Sequence, residues 1–206
     1  MPTSSSSLTV AVSGLALGLA LIAAIGPQNA FVLRQGLRGE HVKTVVALCI
    51  ASDVVLVTAV VASAGAVRSL APAVLATIRW CGVAYLAAYA VLAVRRALRP
   101  ATLEVVTAGR SHRRETVAST LAMTWLNPHV YVDTVLVVGP LAATLGPDRW
   151  AFGSGVLVAS TVWFVGLGVG ARLLRPLFRR PTTWRLLDAG VAATMAVLAI
   201  TLARGG

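Results

Sequence analysis

The sequence predicts an all-α integral membrane protein: six transmembrane helices in an inverted 3+3 repeat, with the first and fourth helices interrupted at prolines. Three observations carry that prediction. Apolar runs long enough to cross a bilayer occupy most of the chain. Basic residues collect in alternate connections. A proline–amide break interrupts each half, at Gly26-Pro27-Gln28-Asn29 and again at Asn127-Pro128-His129.

Composition sets the class. The 206 residues are 57% hydrophobic and only 12% charged, with a mean hydropathy of +0.82. No polar segment is long enough to form a separate soluble domain, so residues 1–206 read as one transmembrane domain. The net charge of +11 does not indicate nucleic-acid binding, because the basic residues lie between apolar runs and form no aromatic-interleaved surface. Cys49 and Cys81 lie within apolar segments and form no Cys-x-x-Cys, so neither a metal nor a cofactor is expected. The first nine residues have no basic start, which argues against a cleaved signal peptide.

In chain order, the apolar segments are Leu8–Leu33, Val45–Val67, Val74–Val94, Val117–Leu145, Ala151–Leu174 and Trp184–Ala203. In the first, Pro27 removes a backbone donor and crowds the preceding turn, so the helix should kink or break there. The second carries Asp53 near mid-membrane, at about 1.5 Å per residue from its start. The third is interrupted by Arg79, so either the helix starts near Trp80 or Arg79 snorkels from within it. The fourth repeats the break at Pro128. In the first and fifth, Gly14-x-x-x-Gly18 and Gly166-x-x-x-Gly170 read as faces for close helix packing.

Of the 18 Lys and Arg residues, all but Arg68, Arg79, Arg149 and Arg204 fall in the connections after segments one, three and five. That bias places those connections in the cytoplasm and both termini outside. Repeat one covers about residues 8–94, a cytoplasmic loop about 95–116, and repeat two about 117–204. The halves echo each other: Ala51-Ser52-Asp53-Val54 matches Ala159-Ser160-Thr161-Val162, and Gly82-Val83-Ala84 matches Gly190-Val191-Ala192. Three helices per unit is odd, so a tandem copy is inverted in the membrane.

A carboxylate inside a span costs a few kcal/mol and is a functional-site hypothesis by default. Asp53 and Asp133 fit that description; the alternative is a buried pair with Arg79 or polar neighbours. Asp188, a turn inside the last helix, is expected to answer the helix dipole. Gln28, Asn29 and Asn127 read as interhelical glue, or as groups that complete a polar ligand's coordination beside the breaks at Gly26, Pro27 and Pro128. His129 is a candidate proton relay. Tyr131 and Trp163 could pack a substrate's aliphatic chain, although at helical spacing plain core packing explains them better. No nucleophile or metalloenzyme motif is present, so no catalytic residue is assigned.

The long strings around the breaks resemble a known family. Gly26-Pro27-Gln28-Asn29-Ala30-Phe31-Val32-Leu33-Arg34-Gln35-Gly36, Ser52-Asp53 and Trp125-Leu126-Asn127-Pro128-His129-Val130-Tyr131-Val132-Asp133-Thr134 are similar, in matching order, to the signatures of the LysE/ArgO family of basic amino-acid exporters. Gly139-Pro140 departs from the pattern, where a small residue would follow the glycine. The resemblance implies export of L-lysine, L-arginine or both from a bacterial cytoplasm, from a multi-pass position in the cell membrane; the sequence leaves both a monomer and a homodimer open. It also implies Asp53, Asp133, Gln28, Asn29, Asn127 and Tyr131 as substrate or coupling residues. Competing expectations are a same-fold exporter of a neutral amino acid or metal cation, a membrane-embedded enzyme, and a non-transporting membrane subunit.

Overall fold

A computed structural model describes residues 4–24, 26–63, 72–98, 112–178 and 180–204, and the regular elements among them are all helical. Arg68, Arg99, Arg110 and Arg179, which enter the charge bias above, lie outside the described residues, as does most of the predicted central loop. α1 (Ser4–Ile22) stops short of Gly26-Pro27, and α2 (Pro27–Arg38) restarts at an 81° angle to it. Pro27 takes the first helical position, where a missing N–H costs nothing. α2 closes on left-handed Gly39, whose N–H returns to the Gln35 carbonyl.

α3 (Val42–Ala62) is uninterrupted, and so is α4 (Pro72–Leu98). Arg79 therefore lies inside a full-length helix: its Nε and Nη2 donate to the carbonyls of Leu202 and Ala203 at 2.8 and 2.7 Å. It caps the end of the last helix and is not the partner of a buried aspartate. The second break divides α5 (Arg113–Trp125) from α6 (Pro128–Tyr131), which continues through a π-helical stretch (Val132–Val138) into α7 (Gly139–Thr144). A 3₁₀ turn (Gly146–Asp148) leads to α8 (Arg149–Gly170), then a second 3₁₀ turn (Ala171–Leu174), α9 (Arg175–Phe178) and α10 (Pro181–Arg204).

Among the described residues, four helices are long and apolar enough to cross a membrane, or five when bent α1 and α2 count as one span. That is fewer than the six expected. The shortfall is in the fourth segment, where Asn127-Pro128 divides the helix and α5, its first piece, is only 13 residues long.

α1 packs along α8, α4 along α10, and α3 against α8 and α5. The first contact needs glycine: a Cβ on Gly14 would collide with the Phe152 carbonyl, and one on Gly155 with the Ala11 carbonyl. The Gly166–Gly170 pair does not act as expected. Space is open around both, and Gly168 between them meets Val46 of α3. Two residues along a helix turn the chain to the opposite face, so the packing glycine is the middle one. Val54, Val55, Val162, Val169, Val197 and Ile200 point outward and exposed, as a lipid-facing surface requires.

Polar contacts define the two ends of the bundle. At one, Arg34 of α2 and Arg96 of α4 both reach Asp188 of α10, and Arg175 of α9 donates to the Leu37 carbonyl. At the other, Ser7 donates to Asp148 and Arg79 meets the end of α10. Asp188 was expected to answer a helix dipole. It is instead two turns inside α10, 7% exposed and held by two guanidinium groups. Both arginines come from helices distant in sequence, which is why local reading missed the pairing.

Candidate functional site

The two helix breaks open onto one cavity of about 90 Å³ between α1, α2, α3, α6, the π-helical stretch and α8. Gly26, Pro27, Gln28, Asn29, Asp53, Asn127, His129 and Asp133 all line it, so residues far apart in the chain converge. The apolar wall comes from Leu21, Ile22, Val57, Val138, Val156 and Phe164.

Each break closes its own backbone before anything else can bind. The Asn29 side-chain amide donates to the Ile22 and Ala24 carbonyls at 2.6 and 3.0 Å, the groups left open where α1 ends. Its oxygen accepts from Trp163 Nε1 at 3.2 Å. Asn29 thus lines the cavity with its amide already engaged, and Trp163 is a donor as well as a packing residue. At the second break Asn127 is the N-cap of α6, its Oδ1 accepting from the His129 N–H at 3.1 Å. Tyr131 donates its hydroxyl to the Trp125 carbonyl at 2.8 Å and is not among the described residues lining the cavity. The signature string had suggested contact with a substrate; Tyr131's observed partner is the end of α5.

Other groups remain available. Asp53 accepts one hydrogen bond, from the Ser160 hydroxyl at 2.5 Å. Asp133 Oδ2 lies 3.5 Å from His129 Nε2, one helical turn earlier. Gln28 Nε2 and His129 Nδ1 are buried without a hydrogen-bond partner. Among the described residues no lysine or arginine lines the cavity, and His129, beside Asp133, is the basic side chain there. Nor is any group of three or more His, Cys, Asp or Glu placed to hold a metal ion among them.

The cavity therefore has two poles. One is acidic, formed by Asp53 and Asp133. The other is the start of α2, where Gly26 offers no side-chain cap to the first-turn N–H groups and Gln28 Nε2 has no hydrogen-bond partner.

The sequence places Ser52 and Ser160 in the echoed strings, and Ser52 in a family signature, without giving either a role at the site. Ser160 serves Asp53, and Ser52 accepts from Trp125 Nε1 at 3.1 Å. The signal was present: Ser52 and Ser160 occupy equivalent places in the echoed strings, and α3 and α8 bring those strings together.

Comparison with known proteins places the chain in a family. The LysE type translocator family model matches residues 19–206. A Mycobacterium tuberculosis protein named provisionally as an amino-acid transporter is 45% identical over 184 residues, covering 89% of this chain and 92% of its own. The arginine exporter protein ArgO of Salmonella enteritidis is 41% identical over 199 residues, 94% and 92% of the two chains. The lysine exporter LysE of Corynebacterium efficiens is 34% identical over 224 residues, 95% and 98% of the two. No solved structure matches the chain.

Proposed function

The chain belongs to the LysE-type translocator family, and from that premise we propose that it exports L-lysine, L-arginine or both from the cytoplasm by alternating access, coupled to the proton motive force. It is a multi-pass membrane transporter and not an enzyme. The observation that carries the substrate reading is the cavity's pairing of Asp53 and Asp133 with the uncapped start of α2. The substrate's ammonium or guanidinium group meets the carboxylates, and its own carboxylate meets the α2 N–H groups and Gln28.

Moving one positive charge outward against 100 mV costs about 2.3 kcal/mol, which an outward concentration gradient offsets in part and an entering proton offsets further. Asp53 and Asp133 exchange substrate cation for proton on the return step, with His129 beside Asp133 as the relay. Loss of substrate restores the carboxylates to protonation, and the neutral site resets at lower electrostatic cost.

Six crossings in an inverted repeat fit this cycle. α1 and α2 together, and α5 through α7 together, each act as one broken crossing, giving two related units around a shared cavity. In such a repeat the contact of α1 with α8 corresponds to that of α5 with α3, the second being the smaller of the two. The basic end of the bundle faces the cytoplasm and both termini face outward.

Cells preloaded with a lysine- or arginine-containing dipeptide test the proposal. Expression of this protein should speed efflux of at least one basic amino acid and leave neutral ones unchanged. Faster loss of a neutral amino acid alone moves the substrate and keeps the family. No change for any amino acid, with the protein present in the membrane, ends the exporter reading.

A further inference from the structure

The Arg34–Asp188–Arg96 cluster lies outside the cavity and the transport scheme above does not use it. Asp188 is 10% exposed at its side chain, with Arg96 Nε at 3.2 Å and Arg34 Nη2 at 3.5 Å. The two pairs are not equivalent. Arg96 and Asp188 sit on α4 and α10, which already pack along their lengths through Leu86, Ala93, Val191 and Met195. Arg34 sits on α2, the second leg of the broken helix. Its pair with Asp188 is an ionic link between that leg and the α4–α10 pair.

The same leg starts at Gly26, Pro27 and Gln28 of the cavity, about 9–12 Å from Arg34 at 1.5 Å per residue. Around Arg34 the leg is also held by an apolar layer of Leu33, Ala171 and Phe178 with Trp184 and Leu187. Arg34 lies over the Trp184 ring, 5.8 Å from its centroid. Arg175 grips the leg's last turn through the Leu37 carbonyl at 2.7 Å. Between this layer and the cavity, Cys49 of α3 is fully buried against Val32, Val45 and Phe164.

We infer that Arg34 and Asp188 form a latch that positions the second leg of the broken first helix and closes the path between the cavity and the basic end of the bundle. The inference rests on the exporter reading for the identity of that end as cytoplasmic. Opening toward the cytoplasm breaks the Arg34–Asp188 pair and swings α2 about the Gly26-Pro27 break. The Arg96–Asp188 pair stays intact, because α4 and α10 move together. Asp188 is thus a positioning residue that acts on the substrate site through α2.

Cys49 reports the latch directly. In full-length protein carrying Cys81→Ser, a water-soluble maleimide is applied to inside-out and right-side-out vesicles and Cys49 alkylation is timed. Arg34→Gln and Asp188→Asn should each raise the rate in inside-out vesicles about fivefold or more, the weight of a partly buried ion pair, while Arg34→Lys and Arg96→Gln stay near the parent rate. Right-side-out vesicles should show no gain. Equal rates for Arg34→Gln, Asp188→Asn and the parent would overturn the latch, as would a gain from the outer face alone or an equal gain from Arg96→Gln. Arg34→Lys also separates a latch from general loosening, since a variant that merely destabilised the bundle would not be rescued by charge. Thiol accessibility needs no transport, so failure of basic amino-acid efflux in the parent protein overturns the exporter reading and leaves the latch readout intact.

Discussion

Asp188 and Asp53 are both carboxylates within apolar helices, yet their surroundings are opposite. Asp188 receives two guanidinium groups, which offset its desolvation and fix three helices relative to one another. Asp53 receives one neutral hydroxyl and faces a cavity. A carboxylate whose charge is already matched is a structural tie. One supplied with a hydroxyl but no cation is, under the proposed export cycle, the one open to a cation that arrives and leaves.

That contrast is most easily broken by Asp53→Asn, for which the largest effect is expected. Loss of a charge-assisted hydrogen bond to the substrate is worth up to about 3 kcal/mol, so basic amino-acid export should fall about a hundredfold. Initial efflux rates in membranes with matched protein levels check this. Export within a few-fold of the parent protein, with its pH dependence unchanged, would remove Asp53 from the coupling role.

Gln28→Ala sharpens the other pole. Its unpartnered amide is available to a substrate carboxylate, and losing it should raise the substrate concentration for half-maximal export about tenfold with little change in maximal rate. A loss in protein stability with no shift in that concentration would make Gln28 part of the scaffold. Asn29→Ala should do the reverse. It abandons the Ile22 and Ala24 carbonyls in a water-poor site, so detergent-solubilised protein should lose about 1–3 kcal/mol, read as a lower melting temperature. An unchanged melting temperature would show that another donor closes the end of α1.

Ser160→Ala is expected to be the mildest. Its hydroxyl holds Asp53 but contributes no charge, so export should fall by roughly threefold to tenfold. A loss as large as that of Asp53→Asn would mean that Ser160 itself contacts the substrate.

Helix identity was legible because hydropathy and helix breakers act locally. The Gly26-Pro27 break appears where proline chemistry puts it, and Asp53 and Asp133 stood out because an acid in an apolar run has no cheap explanation. The Ser52/Ser160 echo was visible too, but its meaning required knowing that α3 and α8 touch. Asp188 was misread for the complementary reason: its position near a helix start is a local fact, while Arg34 and Arg96 reach it from far along the chain.

The sequence by itself determined the membrane class, the two interruptions and the residue types available to a zwitterionic ligand, because these follow from composition and neighbour-to-neighbour sterics. Only the tertiary structure decided that both breaks share one cavity, that Asn29 and Tyr131 spend their polar groups on helix ends, and that Gln28 does not. Hydrogen bonds are short-ranged and saturable, so which group is left free depends on what packing brings within about 3 Å of it.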